Sequence, residues 1–263
     1  MRAVCSNPLS CDVGPILTRV FLHIIQVLRM KKYVIGNWKS NKTRNAAQEW
    51  FSEFADLYRP VDGLEVIVAP SFICLCSLSE YIQALNLQNF SLAGQDVSPF
   101  PKGSYTGAVA ADMIRGMVDY VIIGHSERRR YFHETSQDTA NKMSESVDAG
   151  LKPIVCIDQP YAMSQLTALN DIDCDELLIA YGPTEAAITR VPEQPTRVRE
   201  AARFIRQVQS ERPVVYGGSL QPDNVEEYLA IKELSGVFVG QSSLDARIFA
   251  DLCNRVGGFL SRS

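Results

Sequence analysis

Short β-rich apolar runs alternate with longer amphipathic segments from residue 32 onward, and this pattern leaves few folds open. The runs are Tyr33–Trp38, Glu65–Ala69, Phe90–Gly94, Tyr120–Gly124, Pro153–Ile157, Leu177–Tyr181, Val214–Gly217 and Gly236–Gly240. Between them, segments such as Ala46–Leu57, Gln137–Ala149, Arg197–Val208 and Asn224–Ile231 carry apolar residues at three- and four-residue spacing, the period of a helix with one buried face. Repeated strand–helix units build a parallel sheet covered by helices. Five units would suffice for an open, flavodoxin-like sheet. Eight predict an α/β fold closed into a single (β/α)8 barrel, which uses roughly 250 residues; this chain has 263. No linker or second domain is evident after Met30, so one barrel domain is expected over residues 30–263.

Residues 1–29 do not belong to the pattern. The apolar stretch Ile16–Leu28 is interrupted by Arg19, His23 and Gln26, too short and too polar for a membrane span of about 20 apolar residues. It also lacks the small-residue cleavage site of a secretory signal. Because Met30-Lys31-Lys32-Tyr33 reads as a natural start, the extension is expected to be a disordered or loosely docked tail or a mis-assigned start. A net charge of −4 argues against a general nucleic-acid surface, and Arg128-Arg129-Arg130 is too short a run to change that. Seven cysteines without CxxC spacing or a neighbouring histidine read as reduced, mostly buried thiols rather than a metal site.

In a barrel of this kind the reactive groups gather where strands end and the following loops begin. That rule selects Asn37 and Lys39 after the first strand, His125 and Glu127 after the fourth, and residues 182–191 after the sixth. It also selects Gly217–Ser219 after the seventh strand and Gly240–Ser243 after the eighth. These groups suit an anionic, carbonyl-bearing substrate: an ammonium stabilises a developing oxyanion in a water-poor site, and glycine-rich turns offer backbone N–H groups to phosphate. Each has an ordinary explanation when taken alone. A lone lysine is usually solvated, a lone histidine after a strand is usually structural, and Glu127 would be favoured in a first helical turn by the macrodipole. Trp38 is expected to point into the core, Arg128 and Arg129 to form structural ion pairs, and His133 to be solvated.

Three stretches closely resemble the triosephosphate isomerase family: Gly36-Asn37-Trp38-Lys39, Val121 to Arg129 with Gly124-His125-Ser126-Glu127 at its centre, and Tyr216-Gly217-Gly218-Ser219. The resemblance runs from about Lys31 to Val256 and implies a TIM barrel. It also implies interconversion of dihydroxyacetone phosphate and glyceraldehyde 3-phosphate through an enediolate, with no metal or organic cofactor. Lys39 and His125 would stabilise the oxyanion, Asn37 and Glu127 would hold them, and Gly218, Ser219, Gly240 and Gln241 would bind the phosphate. A neutral imidazole acting as electrophile is a known property of that family rather than one read from these residues. The loop Gly103–Gly107, with Gly94-Gln95-Asp96-Val97 before it and a helix expected over Ala108–Met117 after it, resembles the family's subunit-docking loop and implies a homodimer; its ordinary reading is a glycine-rich connection to that helix. The implied partners are thus a small phosphorylated sugar and a second copy of the chain, with no nucleic acid and no membrane, in the cytoplasm.

The sixth loop departs from the family. Where the family carries its glutamate base in Ala-Tyr-Glu-Pro, this chain reads Ala180-Tyr181-Gly182-Pro183. The lid lacks its glycine-rich tip, since Ala186–Val191 runs directly into Pro192-Glu193-Gln194. Glu185 is the candidate substitute base, with a solvated loop acid as the ordinary reading. Gln241 stands where a second glycine is usual and would crowd the phosphate, because glycine permits closer approach. Asp158-Gln159 replaces a Gly-Glu pair, and residues 160–175 are short for a full outer helix. A positioned base contributes about 10² to 10⁴-fold, so the expected activity is an impaired or altered aldose–ketose isomerisation. The alternative is a non-catalytic barrel that binds a phosphorylated metabolite or pairs with a catalytic relative.

Overall fold

The computed structural model describes residues 31–159, 161–169, 172–209 and 212–262; the extension before residue 30 and the question of its start lie outside them. Eight strands hydrogen-bond in sequence order into a closed barrel, β1 (Lys32–Asn37), β2 (Leu64–Ala69), β3 (Phe90–Gly94), β4 (Tyr120–Ile123), β5 (Lys152–Ile157), β6 (Leu178–Tyr181), β7 (Val214–Tyr216) and β8 (Gly236–Val239). All pairings are parallel, and β8 closes on β1 with Ile35 opposite Phe238. The helices are α1 (Arg44–Leu57), α2 (Phe72–Leu85), α3 (Ala111–Ile114), α4 (Ser126–Tyr131) and α5 (Ser136–Asp148), followed by α6 (Ala162–Thr167), α7 (Thr184–Thr189), α8 (Pro195–Val208), α9 (Val225–Leu229) and α10 (Ala246–Arg262).

Period-two alternation along each strand divides the core in two. Ile35, Ile67, Ile122, Ile154, Leu178, Ala180, Val215 and Phe238 fill the barrel interior. Their neighbours Val34, Val66, Val121, Val155, Ile179 and Val237 face outward against the helices. The helices meet that outer face with apolar positions three and four apart, as in α1 (Ala47, Trp50, Phe51, Phe54) and α8 (Val198, Ala201, Ala202, Ile205). Trp38 is fully buried among Trp50 and Phe51, with a Trp38–Trp50 centroid distance of 4.9 Å. Trp50 and Phe54 stack at 4.9 Å, and Phe249 of α10 joins them, tying the last helix to the first.

Boundaries are set by local chemistry. Thr135 and Asp138 form a reciprocal capping box at the start of α5, Asn86 ends α2 in the left-handed region, and Pro195 opens α8 where its missing N–H costs nothing. Two outer segments bear on the sequence expectations. The region 108–117, read from sequence as a helix, contains only the four-residue α3, since Arg115 is held in a bridge to Val118 and Gly116 takes a positive φ. After β5, α6 has six residues, in keeping with the short segment predicted there.

Candidate active site

At the C-terminal end of the barrel lies a cavity of roughly 630 Å³ lined by residues from the loops after β1, β4, β6, β7 and β8. Asn37, Lys39, His125, Glu127, Gly182, Ser219, Gly240 and Gln241 all line it. Sequence positions as far apart as 37 and 241 meet there because every parallel strand delivers its C-terminal end to the same face.

The first-strand residues are fixed before any ligand arrives. Asn37 is buried and its Oδ1 accepts a hydrogen bond from the Lys39 backbone N–H at 2.9 Å, holding Lys39 at a φ of 53°. Gln95 Nε2 donates to the carbonyls of both Lys39 and Ala69 at 2.9 Å. This backbone turns the Lys39 ammonium toward Glu127 Oε1, 2.6 Å away. The same side chain passes Gly240, where a Cβ would lie 3.3 Å from Lys39 Cε. The lysine therefore runs between the carboxylate on the fourth loop and the turn after β8.

His125 is delivered by the turn at Gly124. That glycine has a φ of 63°, and a Cβ there would meet the Thr139 side chain at 3.0 Å, so a side chain would be strained on both counts. Arg129 Nη1 donates to the Gly124 and Cys156 carbonyls and braces the turn. His125 caps α4, its Nδ1 accepting from the Glu127 N–H at 3.2 Å. An acceptor at Nδ1 assigns the ring proton to Nε2, leaving an N–H donor on the other side of the ring. Burial, reinforced by Lys39, Arg129 and Arg128, outweighs the attraction of Glu127 and pushes the imidazole down to about 4. The histidine is neutral at physiological pH, so its 3.7 Å approach to Glu127 Oε2 is not an ion pair. Cys156 also lines the cavity, but burial pushes its thiol up to about 12, which leaves it uncharged.

On the sixth strand the space is open. Gly182 extends the ladder, its N–H bonding the Ile157 carbonyl at 3.0 Å, and it continues the inward series Leu178, Ala180. A Cβ at Gly182 would meet only the Gly217 carbonyl oxygen, at 3.4 Å. The substitute proposed from sequence is elsewhere: Glu185 is exposed on the first turn of α7 and lines no part of the cavity. Once residues 184–189 coil into a helix, the carbonyl at Ala186 faces the barrel mouth while position 185 turns to solvent. The cavity-lining carboxylates are Glu127, committed to Lys39, and Asp223, exposed on the loop after β7.

The loop between β6 and α8 is pinned along its length. Thr184 Oγ1 donates to Asp158 Oδ2 at 2.8 Å, and Asp158, buried, also pairs with Arg129 Nη2 at 3.0 Å. Ser219 Oγ donates to the Ala186 carbonyl at 2.9 Å. At the far end Glu193 is held by three tyrosines. Tyr181 OH donates to its carboxylate at 2.7 Å, Tyr228 OH donates to its carbonyl at 2.8 Å, and Tyr216 OH accepts its N–H at 2.8 Å.

In the expected phosphate cradle, Ser219 and Gly240 line the cavity, whereas Gly218 is turned toward Tyr216 and does not. A Cβ at Gly218 would fall 2.0 Å from the Tyr216 hydroxyl, so its glycine serves that close approach. Gln241 opens a 3-10 turn, Gln241–Ser243, with its side chain at the exposed edge of the cavity. Arg128 and Arg129 form the anticipated ion pairs, with Asp96 at 2.8 Å and Asp158, and His133 is exposed. Sequence reasoning missed Asp223 as a cavity residue and did not single out Arg190 within the selected stretch 182–191; neither belongs to a motif, and only the coiling of the loops brings them to the cavity. Among the described residues no group of three or more metal-ligating side chains is clustered.

The model of one protein family, triosephosphate isomerase, matches residues 32–256, a span that covers all eight strands. Curated relatives match at similar breadth. The triosephosphate isomerase of Mesomycoplasma hyorhinis is 34% identical over 241 residues, covering 84% of this chain and 97% of its own. That of Thermodesulfovibrio yellowstonii is 34% identical over 244 residues, covering 84% and 98%. That of Gloeobacter violaceus is 35% identical over 240 residues, covering 85% and 98%. With the closed eight-stranded barrel and the Lys39–Glu127–His125 assembly at its mouth, these matches show that the chain belongs to the triosephosphate isomerase family.

Proposed function

We propose that this chain is an aldose–ketose isomerase of the triosephosphate isomerase type, taking dihydroxyacetone phosphate or glyceraldehyde 3-phosphate, and that its proton-transfer step is impaired. One observation carries the reading: Lys39 and the Nε2–H of neutral His125 converge on one cavity with the Ser219 and Gly240 turns. A carbonyl oxygen placed between the ammonium and the imidazole N–H would be stabilised as it becomes an enediolate oxyanion. The neutral imidazole donates without presenting a full charge to the ground state. The phosphate would lie against Ser219, Gly240 and Gln241. The hydrogen to be moved would face Gly182, which offers no group to take it. Proton abstraction needs a base within hydrogen-bond reach, so the step falls to solvent.

The position of Gly182 and the outward placement of Glu185 favour a second reading, a barrel that binds a phosphorylated metabolite without turning it over. The two are separated by assaying glyceraldehyde 3-phosphate isomerisation with protein purified from a host lacking its own isomerase. Turnover above the solvent rate, lost in Lys39→Met, supports the isomerase. Rates equal to buffer in both proteins exclude it.

The assembly we infer is a homodimer through the Gly103–Gly107 loop. Phe100 just before that loop and Tyr105 within it are stacked at 4.6 Å and are 45% and 43% exposed, an apolar pair that a partner surface would cover. A monomer by light scattering at micromolar concentration excludes this dimer. The reduced state of all five described cysteines supports a cytoplasmic location, and no helix among the described residues is long and apolar enough to cross a membrane.

A further inference from the structure

Three cations line the active-site cavity, and two are already neutralised. Lys39 is bound to Glu127 at 2.6 Å and Arg129 to Asp158 at 3.0 Å. The third, Arg190, has no ion pair among the described residues. It stands at the C-terminal cap of α7 with a φ of 59°, a conformation a non-glycine residue adopts only when its surroundings hold it there. What holds it also places it. The Arg190 N–H and the Ser219 hydroxyl donate to the same atom, the Ala186 carbonyl oxygen, at 3.1 Å and 2.9 Å. Ser219 is itself in the left-handed region, with a φ of 60°. One shared acceptor therefore fixes the backbone of an unpaired arginine beside a hydroxyl of the anion cradle.

We infer that Arg190 binds the phosphate of the ligand through its guanidinium, on a sixth loop that lacks a glycine-rich tip. This rests on the reading that the cavity takes a phosphorylated ligand. A dianion entering the cavity finds the Lys39 and Arg129 charges already compensated, and Arg190 is the cation that gains a counter-charge on binding. Its planar fork matches two phosphate oxygens at once, a geometry an ammonium cannot reproduce. The residue is thereby a determinant of specificity for a dianionic head group, independent of any proton transfer.

The test is calorimetric titration of the full chain with glycerol 3-phosphate, which has no carbonyl to react, and with glycerol as the uncharged control, at two ionic strengths. The native protein is expected to bind glycerol 3-phosphate and not glycerol. Arg190→Gln should weaken binding by roughly ten- to hundred-fold, the range of a charged hydrogen bond, and should flatten its salt dependence. Arg190→Lys should fall between the two. Because Arg190 is exposed, both variants should melt with the native protein. Arg190→Gln binding within twofold of native, while the native protein binds, overturns the role of Arg190 and leaves the phosphate reading standing. No binding by the native protein overturns both.

Discussion

If the chain lacks only its proton acceptor, restoring one should restore chemistry, and Gly182→Glu tests this. The site accepts a side chain on three counts. Gly182 does not occupy a positive φ, a Cβ there meets only the Gly217 carbonyl oxygen at the ordinary distance of 3.4 Å, and the inward register of β6 aims the new side chain into the cavity. Replacing glycine where its conformation is unstrained stabilises by about 0.4–1 kcal/mol through the unfolded chain, so the melting temperature should hold or rise slightly. A positioned general base is worth about 10² to 10⁴-fold, or about 3–5 kcal/mol of barrier. The assay is coupled glyceraldehyde 3-phosphate turnover by native protein, Gly182→Glu and Gly182→Gln. The glutamate variant should gain at least two orders of magnitude in kcat/KM over the glutamine variant, which has the same shape and no basicity. Its rate should fall at low pH as the carboxylate protonates. A folded Gly182→Glu protein that binds glycerol 3-phosphate but turns over no faster than Gly182→Gln would refute the reasoning, because Lys39 and His125 would then be incompetent as electrophiles.

Three further outcomes are expected. His125 is held neutral down to about pH 4 in the folded protein but takes a proton near 6.5 when unfolded, so the unfolded state binds more protons between those values. Stability should therefore fall as pH drops from about 6.5 to 4, and urea midpoints should show that fall shrinking in His125→Gln. Lys142 is buried and bound to both Asp96 carboxylate oxygens, at 2.7 and 2.9 Å, and to Glu134. Lys142→Met should destabilise by about 2–3 kcal/mol, because it removes the buried one of the two cations that Asp96 and Glu134 share and leaves them Arg128 alone; chemical denaturation measures it, and a loss under 1 kcal/mol would contradict the assignment. Phe54 is fully enclosed by Trp50, Tyr58, Phe90 and Phe249. Phe54→Ala should cost about 3–5 kcal/mol as transfer and cavity effects add, read in the same denaturation experiment.

The eight-unit barrel was legible in the chain because its two periods are local. Every strand expected from Tyr33 onward overlaps an observed strand, and the ends differ by a residue or so where a glycine such as Gly124 or Gly240 turns the chain into its loop. The motif residues were legible for a related reason. A strand end projects its functional groups in a fixed register, so Asn37, Lys39, His125 and Glu127 could be placed at the barrel mouth without coordinates. Gly182 was legible as an absence for the same reason. The helix expected over 108–117 failed where apolar spacing competed with the turn at Gly116, a contest that local pattern does not settle.

Loop residues followed a different rule. Nothing in the sequence distinguishes Glu185 from Arg190 as a cavity residue, and by proximity to the vacant base position Glu185 was the natural choice. Tertiary bonds reversed that order: Asp158 holds Thr184, Ser219 holds the Ala186 carbonyl, and three tyrosines hold Glu193. With both ends anchored, the residues between coil into α7, which leaves Glu185 in solvent and Arg190 on the cavity wall. Gly218 is outside the cavity lining for the same reason, since only the folded chain sets the Tyr216 hydroxyl so close beside it that a side chain has no room. The chain by itself determined the barrel, the register that brings Asn37, Lys39, His125 and Glu127 to its mouth and the glycine at position 182, because these depend on periods and registers a few residues long. Which charges line the cavity was settled by side chains meeting across β5, β6 and β7, contacts between residues up to 35 positions apart that no local pattern encodes.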